Sequence, residues 1–160
     1  GALSMQLRVI AVGTRMPAWV EQAVADYSGR LPGEIRLEWR EVRAAQRGRS
    51  ADAARWLREE AARIEAAMPP SARRVVLDER GREVDTAALA GRFAAWRDEA
   101  RPVAILVGGP DGLDPALKAS ADETLRLSSL TLPHPLVRVL LAEQLYRAWS
   151  INAGHPYHRA

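Results

Sequence analysis

The 160-residue chain contains no cysteine. That excludes a disulfide framework, a thiolate nucleophile and any cysteine-ligated zinc site. Histidine is scarce, with only His134, His155 and His158. The spacing of three between the last two, with no carboxylate on the same segment, is a poor metal pair, so no metal is expected. No window reaches the eighteen or so uncharged apolar residues of a membrane span, and no basic-then-apolar leader is present, so the expected location is cytoplasmic, with no membrane partner. Lysine is nearly absent: Lys118 stands alone among 23 basic residues. Two readings of that skew stay open, the codon bias of a GC-rich genome and phosphate recognition by arginine's planar fork.

What is present is ordinary globular composition, 48% apolar and 27% charged, with a net charge of +3. The length suits one domain. Residues 1–4, Gly-Ala-Leu-Ser before Met5, read as the remnant of a cleaved tag, leaving 5–160 as the single domain.

Apolar patterning alternates strands with helices. Gln6 to Val12 is a short apolar run ended by Gly13, and Pro17 is placed as the first residue of a helix ending at Gly29. Glu34 to Val42 alternates Ile35, Leu37 and Trp39 with charges, which predicts a strand at a sheet edge. Ser50 is expected to cap a helix running to Met68. Arg73 to Asp78 predicts a third strand, Glu79 to Glu83 a turn, and Asp85 or Thr86 the cap of a helix bearing Leu89, Phe93 and Trp96. Pro102 to Val107 is the most apolar strand and belongs at the sheet centre. Asp114 with Pro115 opens a short helix, Glu123 to Leu127 is a fifth strand, and a last helix runs from about Pro135 to Asn152. The fold class is α/β, a mostly parallel sheet flanked by helices.

Ligands of such sheets bind beyond the carboxyl ends of the strands. Three segments meet there in this reading: Leu77 with Asp78, the turn Val107 to Gly112, and the loop Leu127 to Pro135. The "GGPDG" turn fits neither the P-loop nor the dinucleotide fingerprint. It is read either as a turn alone or as a place where a ligand approaches backbone closely. Leu77, Leu130 and Leu132 suit a flat apolar slot for a purine, with backbone groups of Ser129 to Leu132 reading its edge and Pro133 and Pro135 stiffening the loop. The alternative is a capped helix entry with no ligand.

The stretches "VIAVGTRMPAWV", "LVGGPDGL", "SSLTLPHPLVRVLLAEQLYRAWSI" and "HPYHR" resemble the large-subunit ribosomal RNA methyltransferase H family of the SPOUT superfamily, essentially from Met5 to Ala160. The resemblance implies a C-terminal trefoil knot, a homodimer and S-adenosyl-L-methionine as methyl donor. It also implies methylation at N3 of pseudouridine 1915 in 23S rRNA within the assembled ribosome. Carried over to this chain, the cofactor-binding residues are Leu77, Gly108, Gly109, Ser128, Ser129, Leu130, Thr131, Leu132 and Pro133. Competing readings are a non-catalytic nucleotide- or RNA-binding module of the same fold, and a methyltransferase for another RNA nucleotide.

Methylating an imide nitrogen requires loss of its proton, so a cation and a proton acceptor are sought near the cofactor. The catalytic candidates are Arg138 and Arg159 for the first task, His134 and His158 for the second, and Tyr157 for stacking on the target base. Arg138 pairing with Glu143, or with a neighbouring loop, is the bland alternative. Arg43, Arg47 and Arg49 are the RNA-binding candidates, in a loop otherwise read as solvated. The apolar residues of the last helix, among them Leu140, Leu141, Leu145, Tyr146 and Trp149, exceed what one face of a small monomer should carry, and part is expected to meet a second copy.

Overall fold

Every strand pairing in the sheet is parallel, and the order Ile35–Val42, Met5–Val12, Val103–Val107, Arg73–Glu83, Glu123–Arg126 puts the most apolar segment in the middle. The computed structural model describes residues 4–47 and 52–159. The strands are β1 (Met5–Val12), β2 (Ile35–Val42), β3 (Arg73–Glu83), β4 (Val103–Val107) and β5 (Glu123–Arg126). They alternate with helices α1 (Ala18–Gly29), α2 (Ala53–Ala67), α3 (Thr86–Glu99), α4 (Pro115–Ala119) and α5 (His134–Ala153), and a 3-10 turn spans Pro156–Arg159.

All five residues of β4 are buried, as a strand covered on both faces requires. Alternation along β1 and β4 separates two cores. Leu7, Val9, Val103 and Ile105 pack with Phe93 and Trp96 of α3 and Leu141 and Leu145 of α5. On the other face Ile10, Val12, Ala104 and Leu106 meet Ile64 of α2 and Leu117 of α4. Strand β2 lies at the edge, where its mixed apolar and charged pattern belongs. Helix α5 fills the trough between α1 and α3, which buries Leu141, Leu145 and Tyr146 inside the chain and leaves Leu140 and Trp149 partly exposed.

Several local expectations shift. Pro17 is the N-cap of α1 instead of its first helical residue. Ser50 and Arg49 lie outside the described residues, and α2 is capped by Asp52, whose carboxylate accepts from the Arg55 N–H at 3.1 Å. Asp85 and Asp114 cap α3 and α4 through the N–H groups of Ala88 and Leu117.

The largest correction concerns "ERGRE". It continues β3 instead of forming a separate turn, because the strand leaves the ladder after Leu77 and re-enters at Arg82, both opposite Leu125. The intervening residues bulge outward, and Gly81 closes the excursion against the neighbouring backbone. A Cβ there would lie 2.7 Å from the Leu125 carbonyl carbon, which no side chain permits.

Candidate functional site

The excursion from β3, the turn after β4 and the loop after β5 form three walls of one cleft of about 750 Å³ at the carboxyl ends of the strands. Leu77, Gly108, Gly109, Ser128, Leu130, Thr131 and Leu132 all line it, and His134 and Val137 close it from α5. Of the other cofactor candidates, Ser129 and Pro133 belong to the same loop without lining the cleft. The loop is held by the Ser128 hydroxyl, which accepts from the Leu130 N–H at 2.9 Å, and by Pro133 as the N-cap of α5. Leu130 is 74% exposed at the mouth.

The glycine pair has a reason within the turn itself. The turn closes through a Gly112 N–H to Gly109 carbonyl bond of 3.0 Å, and a Cβ on Gly108 would lie 2.6 Å from the Gly112 carbonyl. A Cβ on Gly109 would crowd Val12 at 3.2 Å. Gly108 is therefore demanded by packing, a side chain at Gly109 would require Val12 to shift, and the backbone of both lines the cleft.

Charge is concentrated on one side of the cleft. Lys118 Nζ lies 3.0 Å from Asp78 Oδ2. Burial alone would push the Asp78 carboxyl up, but the Arg80 N–H and Lys118 prevail and hold it below its ordinary value. The one lysine of the chain thus faces the cleft, a position that the sequence reading passed over although its rarity was visible.

Arg138 is 3% exposed, and both of its terminal nitrogens are engaged while Nε has no partner. It meets Glu41 Oε2 at 2.6 Å, the Gly13 and Val12 carbonyls at 2.8 and 3.2 Å, and His134 Nε2 at 3.2 Å. Glu143 is taken by Arg147, one turn further along the helix, at 2.7 Å. Arg138 therefore clamps the start of α5 to the ends of β1 and β2. His134 is held below its ordinary pKa by burial first and by the Arg138 charge second, opposed by a hydrogen bond with the Val12 carbonyl. It is a neutral imidazole at pH 7, and since a guanidinium only donates, Nε2 faces Arg138 as an acceptor.

Tyr157, His158 and Arg159 are elsewhere. Tyr157 packs on Tyr146 with ring centroids 4.6 Å apart, and Arg147 lies 4.9 Å from its ring centre. Burial, then Glu143 and Tyr27, push the phenol up against Arg147 and Arg30, so it stays protonated. The tail follows the far end of α5, roughly 28 Å along the helix axis from His134 at 1.5 Å per residue. Within one chain the structure brings His134 to the cleft, buries Arg138 behind it, and leaves the tail residues away from it.

The basic loop is anchored at two points, while its arginines Arg43 and Arg47 stay exposed as the solvated reading expects. The Ala45 N–H donates to buried Glu60 at 2.9 Å, and Arg63 donates to the Arg43 carbonyl at 2.9 Å. Arg47 pairs with Asp111 of the cofactor-side turn and lies over Trp56. Among the described residues no group of three or more acidic, histidine or cysteine side chains could hold a metal, and no helix is long and apolar enough to cross a membrane.

Residues 5–158 match the family described as predicted SPOUT methyltransferase. The chain is similar to ribosomal RNA large subunit methyltransferase H of Ralstonia nicotianae, with 58% identity over 155 residues, 97% of this chain and 99% of that protein. The protein of the same name from Bordetella pertussis is 60% identical over 156 residues, 98% and 100% of the two chains. Among solved structures, a probable methyltransferase from Bordetella pertussis Tohama I is alike in fold, with a TM-score of 0.57 at 20% identity over 90% of this chain and 94% of that one.

Proposed function

The chain belongs to the ribosomal RNA large subunit methyltransferase H family of SPOUT methyltransferases, and from that premise we propose that it methylates N3 of pseudouridine 1915 in 23S rRNA of the assembled ribosome, using S-adenosyl-L-methionine. The observation that supports this reading best is the convergence of Leu77, the glycine turn and the Ser128–Leu132 loop on one cleft beside His134 and Arg138. The trefoil knot, the cytoplasmic location and the homodimer are taken over with the family.

The cleft fits the cofactor in size and chemistry. Its volume lies in the range of small-molecule sites, and it combines an apolar slot with exposed backbone groups. Leu77 and Leu132 would flank the adenine, and the loop backbone would read its edge. Lys118 and Asp78 would hold the carboxylate and ammonium of the amino-acid end. When bound, the cofactor supplies a methyl group on a sulfonium centre already activated for displacement.

The protein's own work is then position and charge. For His134, kept neutral, to take the proton that the base loses from N3, Nε2 must give up its bond from Arg138, since the other ring nitrogen carries the N–H that meets the Val12 carbonyl. Arg138 orients that imidazole through Nε2 and fixes the start of α5. A cation near the base oxygens would come from Arg159, and a stacking surface from Tyr157. Because α5 holds its own tail far from its own cleft, these two residues serve the partner's cleft in a twofold dimer. The net charge of +3 is small for a binder of naked RNA, and the shape of the ribosome supplies specificity.

The test is transfer of labelled methyl to intact ribosomes lacking the modification, beside matched ribosomes with uridine at the site. Labelling confined to the pseudouridine particles is expected. Equal labelling of both, or labelling of naked transcript as efficient as of ribosomes, would overturn the assignment. Cofactor binding with no transfer would favour the binding-module reading.

A further inference from the structure

A second cleft, of about 810 Å³, lies between the turn after β1, the basic loop after β2 and the exposed face of α2. Its lining includes Gly13, Thr14, Arg43, Arg55, Trp56 and Arg63. We infer that this cleft receives the sugar-phosphate backbone of the RNA strand next to the target nucleotide. The inference rests on the proposed function and adds a site to it.

Position comes first. Gly13 lines the second cleft and His134 the first, and the two meet at one point: Arg138 Nη2 bonds the Gly13 carbonyl at 2.8 Å and His134 Nε2 at 3.2 Å. The clefts therefore stand back to back across a single wall. A base presented to His134 has its own backbone leading over that wall. The rims are tied as well, since Arg47 of the basic loop is paired with Asp111 of the first cleft.

Charge is the second argument. Three guanidinium groups, of Arg43, Arg55 and Arg63, face one carboxylate in the lining, that of Glu59. The Arg55–Glu59 pair is long, 3.4 Å, and exposed, so it neutralises little. Arg63 spends one N–H on the Arg43 carbonyl, which positions its fork without cancelling its charge. The other nearby carboxylate, Glu60, is turned under the loop to the Ala45 N–H. The cleft is thus a cationic surface anchored through Ala45 and Arg63, and a volume this large suits a length of strand, not a lone anion. Arginine forks facing solvent are the usual holders of phosphodiesters.

The test uses the full-length protein, undermethylated ribosomes and three variants: Arg55→Gln, the combined Arg55→Gln/Arg63→Gln, and Arg36→Gln at the amino end of β2 as a control. For the combined variant the apparent KM for ribosomes should rise about tenfold with kcat within about twofold of the parent. The log–log salt dependence of binding should weaken by about one per phosphate contact removed. Affinity for S-adenosylhomocysteine, measured by calorimetry, should be unchanged, and Arg36→Gln should behave as the parent. Arg55→Gln alone leaves the loop anchor intact and should show about half the effect on a logarithmic scale. An unchanged KM and salt slope in the combined variant would overturn the inference. If the parent transfers no methyl, the functional reading has failed instead. Co-sedimentation of the same variants with ribosomes then decides the cleft: weaker binding supports it and equal binding overturns it.

Discussion

Replacing Arg138 by lysine keeps the positive charge and removes the planar fork. In the structure that fork binds the Glu41 carboxylate and the carbonyls of Val12 and Gly13. A lysine in its place retains one of the three at most. Two lost charge-assisted bonds at about 1.5 kcal/mol each come to about 3 kcal/mol. Glu41 has a side chain 37% exposed and regains water, which reduces the figure to about 2 kcal/mol. For a domain of this size that is a fall in Tm of about 4–8 °C. The measurement is thermal unfolding at one fixed protein concentration, because dimerisation would make Tm concentration-dependent. Glu41→Gln and the double variant complete a cycle, in which the two losses should be less than additive. A Tm within about 1 °C of the parent, with turnover falling steeply, would refute the argument and make Arg138 a free catalytic cation.

Other consequences follow from the same geometry. Gly81→Ala forces a Cβ into the Leu125 backbone and should cost about 1–3 kcal/mol in chemical denaturation while weakening S-adenosylhomocysteine binding; a neutral result would disprove the close approach of β3 and β5. Lys118→Met should weaken S-adenosylhomocysteine about tenfold and leave 5′-methylthioadenosine, which lacks the amino-acid end, unaffected; equal losses for both would place Lys118 elsewhere on the ligand. His134 titrates below its ordinary value of 6.5, so the unfolded chain takes up a proton that the folded one refuses. Its contribution to stability is full above pH 6.5 and declines as the pH falls from there towards the folded pKa. His134→Gln should flatten that part of the stability profile, and an unaltered profile would exclude the imidazole as its source. Finally, Arg159→Ala should reduce turnover with cofactor affinity intact, and mixing it with a Gly109→Val cleft variant should restore activity through mixed dimers. No restoration would argue that the tail acts on its own protomer.

What the sequence disclosed was local or periodic. A continuous apolar run located β4 at the centre, alternation located β2 at the edge, and aspartates before apolar periods marked the caps of α3 and α4. The cleft was legible to the same degree, since ligand sites in such sheets follow strand ends, and the three segments were recognisable as strand ends. What failed was long-range. Gly81 between charged residues has the composition of a turn, and its true cause is a backbone 44 positions later. For Arg138, read as a catalytic cation or else as the partner of Glu143 or a neighbouring loop, the sequence offers no sign of Glu41, a carboxylate partner 97 residues away. The anchor of the basic loop is hidden for the same reason, because nothing in its own residues announces that Glu60 is buried beneath it.

Helix α5 is both the last helix made and the filling of the trough between α1 and α3, with Arg138 bonding a carbonyl 126 residues earlier. A chain emerging in order therefore has all five strands, and the α1 and α3 that begin to cover one sheet face, before the helix that completes that cover. Local helices can form early, but closure of that face waits for α5, because its contacts are among the most distant in the chain. The helix that carries His134 and Arg138 is thus the last of the five to find its place.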